Sequence, residues 1–332
     1  MPERYVKSLV WISGTGSQWQ SGQIPDAPGL LWHNAGQVTS GRIAKTVIEN
    51  GHLIKRAAVA SMLTATVLLL AKAAAWTASD SASVLSSLLD SMMDIAASVI
   101  NFFAIRYALM PADDDHPFGH TKAEGLAALM QSAFILGSAV MLLLHVVERL
   151  VKPQALTAIP ESIGVMIFST VATVALVAYQ RWVARKTGSL AVKADSAHYV
   201  GDILTSAAVV VALVAAYWQV YWLDPVIALL IAAVLLYSVV GIIREALAVL
   251  MDKALEPEDE ADLIRIIEDS QGVRGYHDLR TRQSGVVQFI QFHLELDGGQ
   301  TLRSAHDIGD ALEKRIRLRF PKAEVIVHHD PV

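Results

Sequence analysis

The chain has 332 residues, 53% of them hydrophobic, and a mean hydropathy of +0.42, which is too apolar for an ordinary soluble protein. The formal net charge of -5 is small, and no block of Lys or Arg indicates a nucleic-acid partner. Because there is no cysteine, disulfides, thiolate metal sites and a cysteine nucleophile are excluded. A metal site must use His, Asp and Glu, which favours divalent zinc, iron(II), manganese or cadmium.

The first part of the chain, residues 1 to about 45, is rich in Gly, Ser, Gln and Pro. Its only apolar run, Leu9 to Ile12, is too short for the core of a signal peptide. We therefore predict a soluble, poorly ordered N-terminal extension. A start codon assigned too far upstream is the alternative explanation.

Six apolar segments follow, and each is close to the roughly 20 residues needed to cross the hydrocarbon core of a bilayer. They span residues 57–78, 83–109, 123–150, 160–182, 198–222 and 225–250. The sequence thus predicts an all-α, six-helix transmembrane domain over residues 46–250.

The charges of the short loops predict how this helical domain is oriented. The loops on one side contain Arg42, Lys45, Lys55, Arg56, Arg106, Lys122, Arg181, Arg185, Lys186 and Lys193. Those on the other side contain only Arg149 and Lys152. The positive-inside rule then places both termini in the cytoplasm.

Residues 251–332 have the pattern of a small soluble domain. Helical periodicity over 258–271 and 304–320 alternates with strand patterns at 276–282, 286–295 and 323–329. The order α-β-β-α-β predicts a two-layer α+β unit.

The segment Val84 to Asn101 contains two carboxylates, Asp90 and Asp94, at membrane depth. Each costs roughly 3 kcal/mol there, so both need a partner or water. Their i, i+4 spacing puts them on one helical face, and the fifth segment repeats this spacing with His198 and Asp202. Facing each other, the pairs would hold a divalent metal. The alternatives are that each acid pairs with a buried cation such as Lys72, or that the segments are not membrane spans.

This cluster also predicts competition between metal and protons. Three carboxylates held close together repel one another, so without metal they keep one or two protons. Metal binding then expels protons, and protonation weakens metal binding, which provides a physical basis for exchange.

Two further groups of possible ligands lie outside the predicted spans. Asp113, His116 and His120 have spacings that let one turn wrap around an ion, although a solvated acidic loop with incidental histidines is the alternative. The soluble domain offers candidates that would form one or two zinc-type sites, or else be scattered surface residues: His277, His293, His306, His328 and Asp330.

Lys122 and Asp252 lie at the predicted cytoplasmic ends of the third and sixth segments. They are candidates for an ion pair that ties the helices to the soluble domain, although a surface pair contributes almost nothing by default. The sequence lacks HExxH, GxSxG and GxxxxGK[ST], so nothing supports a zinc protease, a serine hydrolase or an ATP-driven pump.

From Val59 to Pro331 the sequence resembles the cation diffusion facilitator family, and specifically its bacterial zinc and ferrous-iron efflux branch. The resemblance rests on six motifs in order: LLDSMMDIAAS, PADDDHPFGHTKAEGLAAL, ADSAHYVGDI, HDLRTRQSG, FIQFHLELD and VIVHHDP. It implies a transmembrane domain followed by a cytoplasmic metallochaperone-like, ferredoxin-like domain. It also implies a homodimer in the bacterial inner membrane that exports divalent metal in exchange for protons.

The same resemblance implies roles for the candidate ligands. Asp90, Asp94, His198 and Asp202 match the family's transport site, and Asp113, His116 and His120 match its loop site. His277, His293, His306, His328 and Asp330 match the binuclear site where metal ties two subunits together. His329 stands where a non-ligand is expected.

We therefore expect a secondary active transporter rather than an enzyme, with no catalytic cofactor. Zinc, and also cadmium and iron(II), would bind as substrate and as structural or regulatory ions. Metal would enter from the cytoplasm, and protons from the far side would displace it. A membrane metal sensor and a passive metal channel are the alternatives.

Overall fold

The computed structural model describes residues 35–79, 82–151, 160–218, 220 and 222–332. The described part of the chain begins with six long helices, as the hydropathy pattern predicts. These are α1 (Ala35–Ser79), α2 (Ala82–Ala108), α3 (Ala123–Val151), α4 (Pro160–Thr187), α5 (Leu190–Tyr217) and α6 (Leu223–Leu250).

Five helices, namely α1, α2, α3, α4 and α6, contain stretches long and apolar enough to cross a membrane within the described residues. Helix α5 is not among these five, and its first half contains Lys193, Asp195 and Asp202. Large apolar side chains on the outside of the bundle, including Leu70, Met141, Val171 and Leu230, are more than 60% exposed. Such a surface suits contact with lipid.

Helix α1 begins well before the predicted span. Residues 35–45, expected to be poorly ordered, belong to this helix, whereas the rest of the predicted extension, residues 1–34, lies outside the described residues. No proline interrupts the chain between residues 35 and 57, so nothing in the backbone prevents the helix from continuing.

Helix α5 starts eight residues before the predicted position. Gly188, with φ of 77°, ends α4, and Ser189 Oγ accepts a hydrogen bond from Val192 N at 3.4 Å, as a helix N-cap does. The buried carboxylate of Glu124 accepts from Ser189 Oγ at 3.0 Å and from Leu190 N at 3.3 Å. This contact from α3 supplies acceptors for the first turn of α5.

Among the described residues the helices pack in three apolar clusters, the smallest of which joins Leu176 and Val177 of α4 to Tyr199 of α5. Helices α3, α5 and α6 share one cluster, with Ala128, Leu235 and Ile242 among its buried members. Helices α1 to α5 share a second cluster, which includes Ile54 and Ile105. Helices α2 and α5 approach each other only over a short stretch, which positions their polar residues at a crossing inside the bundle.

The soluble part is a small α+β domain whose element order confirms the prediction. It consists of α7 (Pro257–Glu268), β1 (Val273–Ser284), β2 (Val287–Leu296), α8 (Leu302–Arg319) and β3 (Ala323–Pro331). Strand β1 pairs antiparallel with β2, and β2 pairs parallel with β3, in the order β1-β2-β3. The β1–β2 turn contains Gly285, whose φ of 58° is readily available to glycine.

The core of this domain lies between the helices and the sheet. Leu263 and Ile267 from α7, Leu312 and Ile316 from α8, and Leu294 from β2 are at most 1% exposed. The helices thus cover one face of the sheet, and residues on its other face are free to form a site.

Candidate metal sites

The first site lies where α2 crosses α5. Nε2 of His198 is 3.2 Å from Oδ1 of Asp94, and ligand atoms of Asp94, His198 and Asp202 all lie within 4.8 Å of one another. The His198 side chain is 6% exposed and that of Asp94 is 20% exposed. The structure therefore brings one imidazole and two carboxylates together in a mostly enclosed place suited to a divalent ion.

Asp90, the fourth predicted ligand, is exposed and lies outside this close group. It is one helical turn from Asp94, on the same side of α2. In this conformation the crossing of the two helices brings only the more central of the two aspartates against His198.

A polar network lies beside the site and supports it. Tyr199 Oη lies 2.8 Å from Ser98 Oγ and accepts a hydrogen bond from Ser61 Oγ at 3.3 Å, so it connects α1, α2 and α5. Asp195, 1% exposed, accepts from Gln180 Nε2 at 2.6 Å and from Gln131 Nε2 at 3.4 Å. These bonds fix the rotation of α5, which determines where His198 points.

The second site is the loop between α2 and α3. Asp113 Oδ1 accepts from the backbone N–H of His116 at 2.6 Å and lies 3.1 Å from Nδ1 of that residue. Asp113 Oδ2 lies 3.2 Å from Nε2 of His120. The backbone hydrogen bond from His116 is the main reason that the pKa of Asp113 is below its usual range. The three predicted ligands therefore form one group, in which His120 is buried.

His120 has a geometry that calls for a cation. Its Nδ1 lies 3.2 Å from the carbonyl oxygen of Pro111, which can only accept, so Nδ1 is the donor. In the neutral ring Nε2 then has a lone pair facing the Asp113 carboxylate. A proton on Nε2 or a metal ion between the two acceptors is needed, and the Pro111 contact is the kind that orients a metal-binding imidazole.

The third site lies on the open face of the sheet and follows from strand register. His277 pairs with His293 across β1 and β2, and His293 pairs with His328 across β2 and β3. The rings of His293 and His328 are 4.6 Å apart, and those of His277 and His293 are 4.9 Å apart. Directly opposed residues on one face of a sheet are close neighbours, so the register creates a row of three imidazoles.

The carboxylate of Asp330 lies against this row. Its Oδ2 is 2.8 Å from Nδ1 of His293 and 3.3 Å from Nε2 of His277, and its Oδ1 is 3.2 Å from Nε2 of His328. The hydrogen bond from His293 is the main reason that the pKa of Asp330 is below its usual range. His277, His293 and Asp330 form a group compact enough to hold one metal ion, with His328 beside it.

Within one chain, His306 lies away from this group, and its predicted role as a ligand stays a prediction. It lies on α8, where its Nε2 is 3.8 Å from Asp310 Oδ1 and its side chain is 61% exposed. Helix α8 packs on the opposite face of the sheet, which separates His306 from the imidazole row.

The side chain of His329 points toward α8. This is expected, because successive residues of a strand alternate between the two faces of a sheet and His328 and Asp330 are on the other face. Its Nε2 is buried against Gly309 and has no hydrogen-bond partner among the described residues. Burial is the main reason that its pKa is lowered. Strand alternation therefore separates it from the row of ligands.

Glu295 was not predicted as a ligand from the sequence, although it lies near the row of three imidazoles. Its Oε1 is 3.4 Å from Nδ1 of His277. A period of two along β2 puts it on the face of His293, and this alternation was the signal that could have found it. Glu124 and Asp195, the buried acids that fix the start and the rotation of α5, gave no comparable local signal.

Lys122 and Asp252 form the predicted pair, with Nζ 2.9 Å from Oδ2. Asp252 Oδ1 also accepts from Arg282 of β1 at 3.1 Å. The guanidinium of Arg282 lies 5.1 Å from the ring of Phe118 and 4.2 Å from that of Phe289. The loop that contains the second site therefore contacts the soluble domain directly.

Two family models match the chain and together cover most of it. The cation efflux transmembrane domain matches residues 58–251, and the cation efflux protein cytoplasmic domain matches residues 255–332. A cation-efflux pump FieF of Klebsiella pneumoniae is 47% identical over 281 residues, which are 85% of this chain and 94% of the relative. One of Salmonella paratyphi A is 45% identical with the same coverage.

Two solved structures that match the chain each cover about a quarter of it. CzrB in its Zn form is 29% identical and covers 24% of this chain and 92% of its own, with a TM-score of 0.23. A nickel form of the MamM CTD is 22% identical and covers 23% of this chain and 99% of its own, with a TM-score of 0.22.

The two family models account for both parts of the fold described above. The family is one of cation efflux transporters and not of enzymes, in agreement with a helical membrane domain that encloses a group of metal-ligand residues. The chain belongs to the cation diffusion facilitator family of cation-efflux proteins and contains both its transmembrane and its cytoplasmic domain.

Proposed function

We propose that this protein exports zinc, iron(II) and cadmium from the bacterial cytoplasm by exchanging them for protons. The observation that carries the proposal is the convergence of Asp94, His198 and Asp202 from two helices inside the bundle. Oxygen and imidazole ligands suit these divalent ions. The relatives named cation-efflux pump support the direction of transport.

The transport site consists of this group and Asp90. Asp90 would approach the ion after a rotation of α2, since it is one turn from Asp94 on the same side of the helix. With Asp90 included, three carboxylates and one imidazole provide four ligands, the number usual for zinc. The metal ion is the transported substrate and not a resident cofactor.

Proton exchange follows from the chemistry of the same groups. In the absence of metal, clustered carboxylates and an imidazole hold protons, and metal binding releases them. Rocking of helices around a fixed site would expose it to one side of the membrane and then to the other. Protons that arrive from the outer side would then displace the ion.

The membrane arrangement is part of the proposal. Helix α5 is the sixth span, because its polar first half faces the bundle interior while residues 207–217 are apolar. The membrane domain extends over residues 46–250 of an inner-membrane protein, and residues 251–332 form a ferredoxin-like, metallochaperone-like domain. The excess of Lys and Arg in alternate loops supports a cytoplasmic location for both termini.

The other two sites have a regulatory or assembly role in this proposal. The loop site is next to Phe118, which contacts the soluble domain, so metal there is positioned to affect domain docking. The row of His277, His293 and His328 binds metal that ties two subunits of a homodimer together. Because His306 is exposed and away from this row, its ligand role requires the second subunit.

Transport of Zn²⁺ by purified protein in proteoliposomes tests the proposal. A metal-sensitive dye and a pH-sensitive dye inside the vesicles follow both ions at once. We expect each pulse of Zn²⁺ to drive a counterflow of protons, and Asp94→Asn to abolish both signals. Asp115→Asn is the matched control, since Asp115 is an exposed loop acid outside the group.

The same assay separates the alternatives. Metal flux without proton flux would indicate a passive channel. Zn²⁺ binding without flux of either ion would indicate a sensor. Unchanged fluxes in Asp94→Asn would contradict the transport site itself.

A further inference from the structure

Lys72 places a positive charge beside the proposed transport site. It lies half-buried on α1, where its Nζ donates to Ser91 Oγ at 2.7 Å and to the carbonyl oxygen of Ser87 at 3.3 Å. Ser91 is 1% exposed, follows Asp90 directly and precedes Asp94 by three residues. The ammonium group is therefore held against the part of α2 that contains the two aspartates.

The hydrogen-bond acceptors of Lys72 are neutral, so these two bonds do not cancel its charge. The charge acts instead on Asp90 and on Asp202 from a distance. In a weakly polar interior, a charge that is not directly paired influences its neighbours more strongly than it would in water. Lys72 thus belongs to the electrostatics of the site without occupying a ligand position.

The charges of the metal-loaded site and Lys72 balance. Asp90, Asp94 and Asp202 contribute three negative charges, a divalent ion contributes two positive charges, and Lys72 contributes the third. The loaded site is then neutral, which is the state that a low-dielectric environment favours. Without Lys72 the loaded site would keep one excess negative charge, and the cation would be held more tightly.

We propose that Lys72 is a resident counter-charge that limits the metal affinity of the transport site, so that the ion can be released on the outer side. The inference rests on the proposed function, because it takes Asp90, Asp94, His198 and Asp202 as the site. Lys72 is a positioning residue in this scheme and does not touch the metal.

A purely structural role for Lys72 predicts the opposite change in affinity. If its only role were to join α1 to α2 through Ser91, its removal would loosen the site and weaken metal binding. Two neutral variants distinguish the roles: Lys72→Met removes the charge and the hydrogen bond, whereas Lys72→Gln removes the charge but can still donate to Ser91 Oγ. Lys72→Arg retains the charge.

The test is calorimetric titration of the full chain with Zn²⁺ alone, in a background with His120→Ala and His293→Ala to disable the other two sites. We expect Lys72→Met and Lys72→Gln to lower the Kd by roughly fivefold or more, even with water-like screening. Lys72→Arg should stay close to the background value. In proteoliposomes without the background substitutions, both neutral variants should transport Zn²⁺ more slowly because release is slower.

The inference is overturned if both neutral variants bind Zn²⁺ with unchanged or lower affinity. It is also overturned if Lys72→Met binds Zn²⁺ more weakly while Lys72→Gln binds it with unchanged affinity. If Lys72→Met does not fold, Lys72→Gln alone decides by the same criterion. Asp94→Asn in the same background distinguishes a failure of the proposed role of Lys72 from a failure of the proposed transport site. Loss of binding in Asp94→Asn with no tightening in the Lys72 variants rejects only the role of Lys72, whereas retained binding in Asp94→Asn rejects the transport site.

Discussion

Lys122 Nζ lies 2.9 Å from Asp252 Oδ2, and this ion pair joins the segment before α3 to the segment that leaves α6. Arg282 approaches the other oxygen of the same carboxylate from the soluble domain. One aspartate thereby connects two helices and a strand where the two domains meet. Its φ of 56° is in the left-handed region, which Asp and Asn tolerate better than most residues.

Asp252→Asn should loosen the contact between the domains without disturbing this backbone conformation. The Asp252 side chain is 40% exposed, so we expect the loss of each ion pair to lower the stability of the domain contact by only about 0.5 kcal/mol. Limited proteolysis of the connection between α6 and α7 would report the effect as faster cleavage. Lys253→Gln is the control, because Lys253 pairs with Glu256 inside the same segment. Equal cleavage rates for both variants would contradict a bridging role for Asp252.

The same contact should depend on acidity in a defined direction. Partial burial alone would raise the pKa of Asp252, but hydrogen bonds from Lys122 and Arg282 outweigh it and hold the pKa below its usual range. A depressed pKa means that the stabilisation is fully present at neutral pH and is lost as the pH falls through about 4 and below. Hydrogen exchange at β1 should therefore differ between the parent and Asp252→Asn at pH 7. A difference that persisted undiminished at pH 3 would exclude this ion pair as its cause.

The two aspartates of α2 should not contribute equally to metal binding. Asp94 contacts His198 directly, whereas Asp90 is exposed and outside the close group. Asp94→Asn should abolish Zn²⁺ binding at this site, while Asp90→Asn should leave weakened binding. Calorimetry on protein that lacks the loop and soluble-domain sites measures both. Equal losses would indicate that the metal-bound site draws in both carboxylates to the same extent.

Metal in the soluble domain should depend on His293 and not on His329. His293 hydrogen bonds to Asp330 in the row, whereas His329 points toward α8. His293→Ala should lower the amount of bound Zn²⁺ and weaken the dimer, because metal links the subunits in the proposed assembly. His329→Ala should keep both properties. Metal analysis and light scattering of the full chain provide the measurements, and loss of metal in His329→Ala would disprove the predicted difference.

Gly309 and His329 should be energetically coupled. A Cβ added at Gly309 would collide with Nε2 of His329, and such overpacking costs about 1–3 kcal/mol. Gly309→Ala should therefore speed hydrogen exchange in α8 and β3. In the double variant with His329→Ala the clash is gone, and alanine's better helix propensity, worth about 1 kcal/mol, should restore protection. Additive effects of the two substitutions would show that the residues do not interact.

Much of the fold was predictable because its signals are local. Apolar segments of membrane length predicted the long helices, and alternating patterns predicted the order of helices and strands in the soluble domain. The predicted start of α5 was eight residues too late, because the buried carboxylate of Glu124 in α3 stabilises the first turn of that helix. Such a contact joins residues 66 positions apart and leaves no trace in local periodicity.

The sequence by itself determined which ligand types are available and which of them share a face, because helical and strand periods are properties of the local backbone. It thereby paired Asp90 with Asp94 and His198 with Asp202. Only the tertiary structure decided that Asp94 and not Asp90 meets His198, that His306 lies away from His293, and that Lys72 lies beside Ser91. These outcomes depend on how helices rotate and cross and on which face of the sheet a helix covers, and long-range packing sets both.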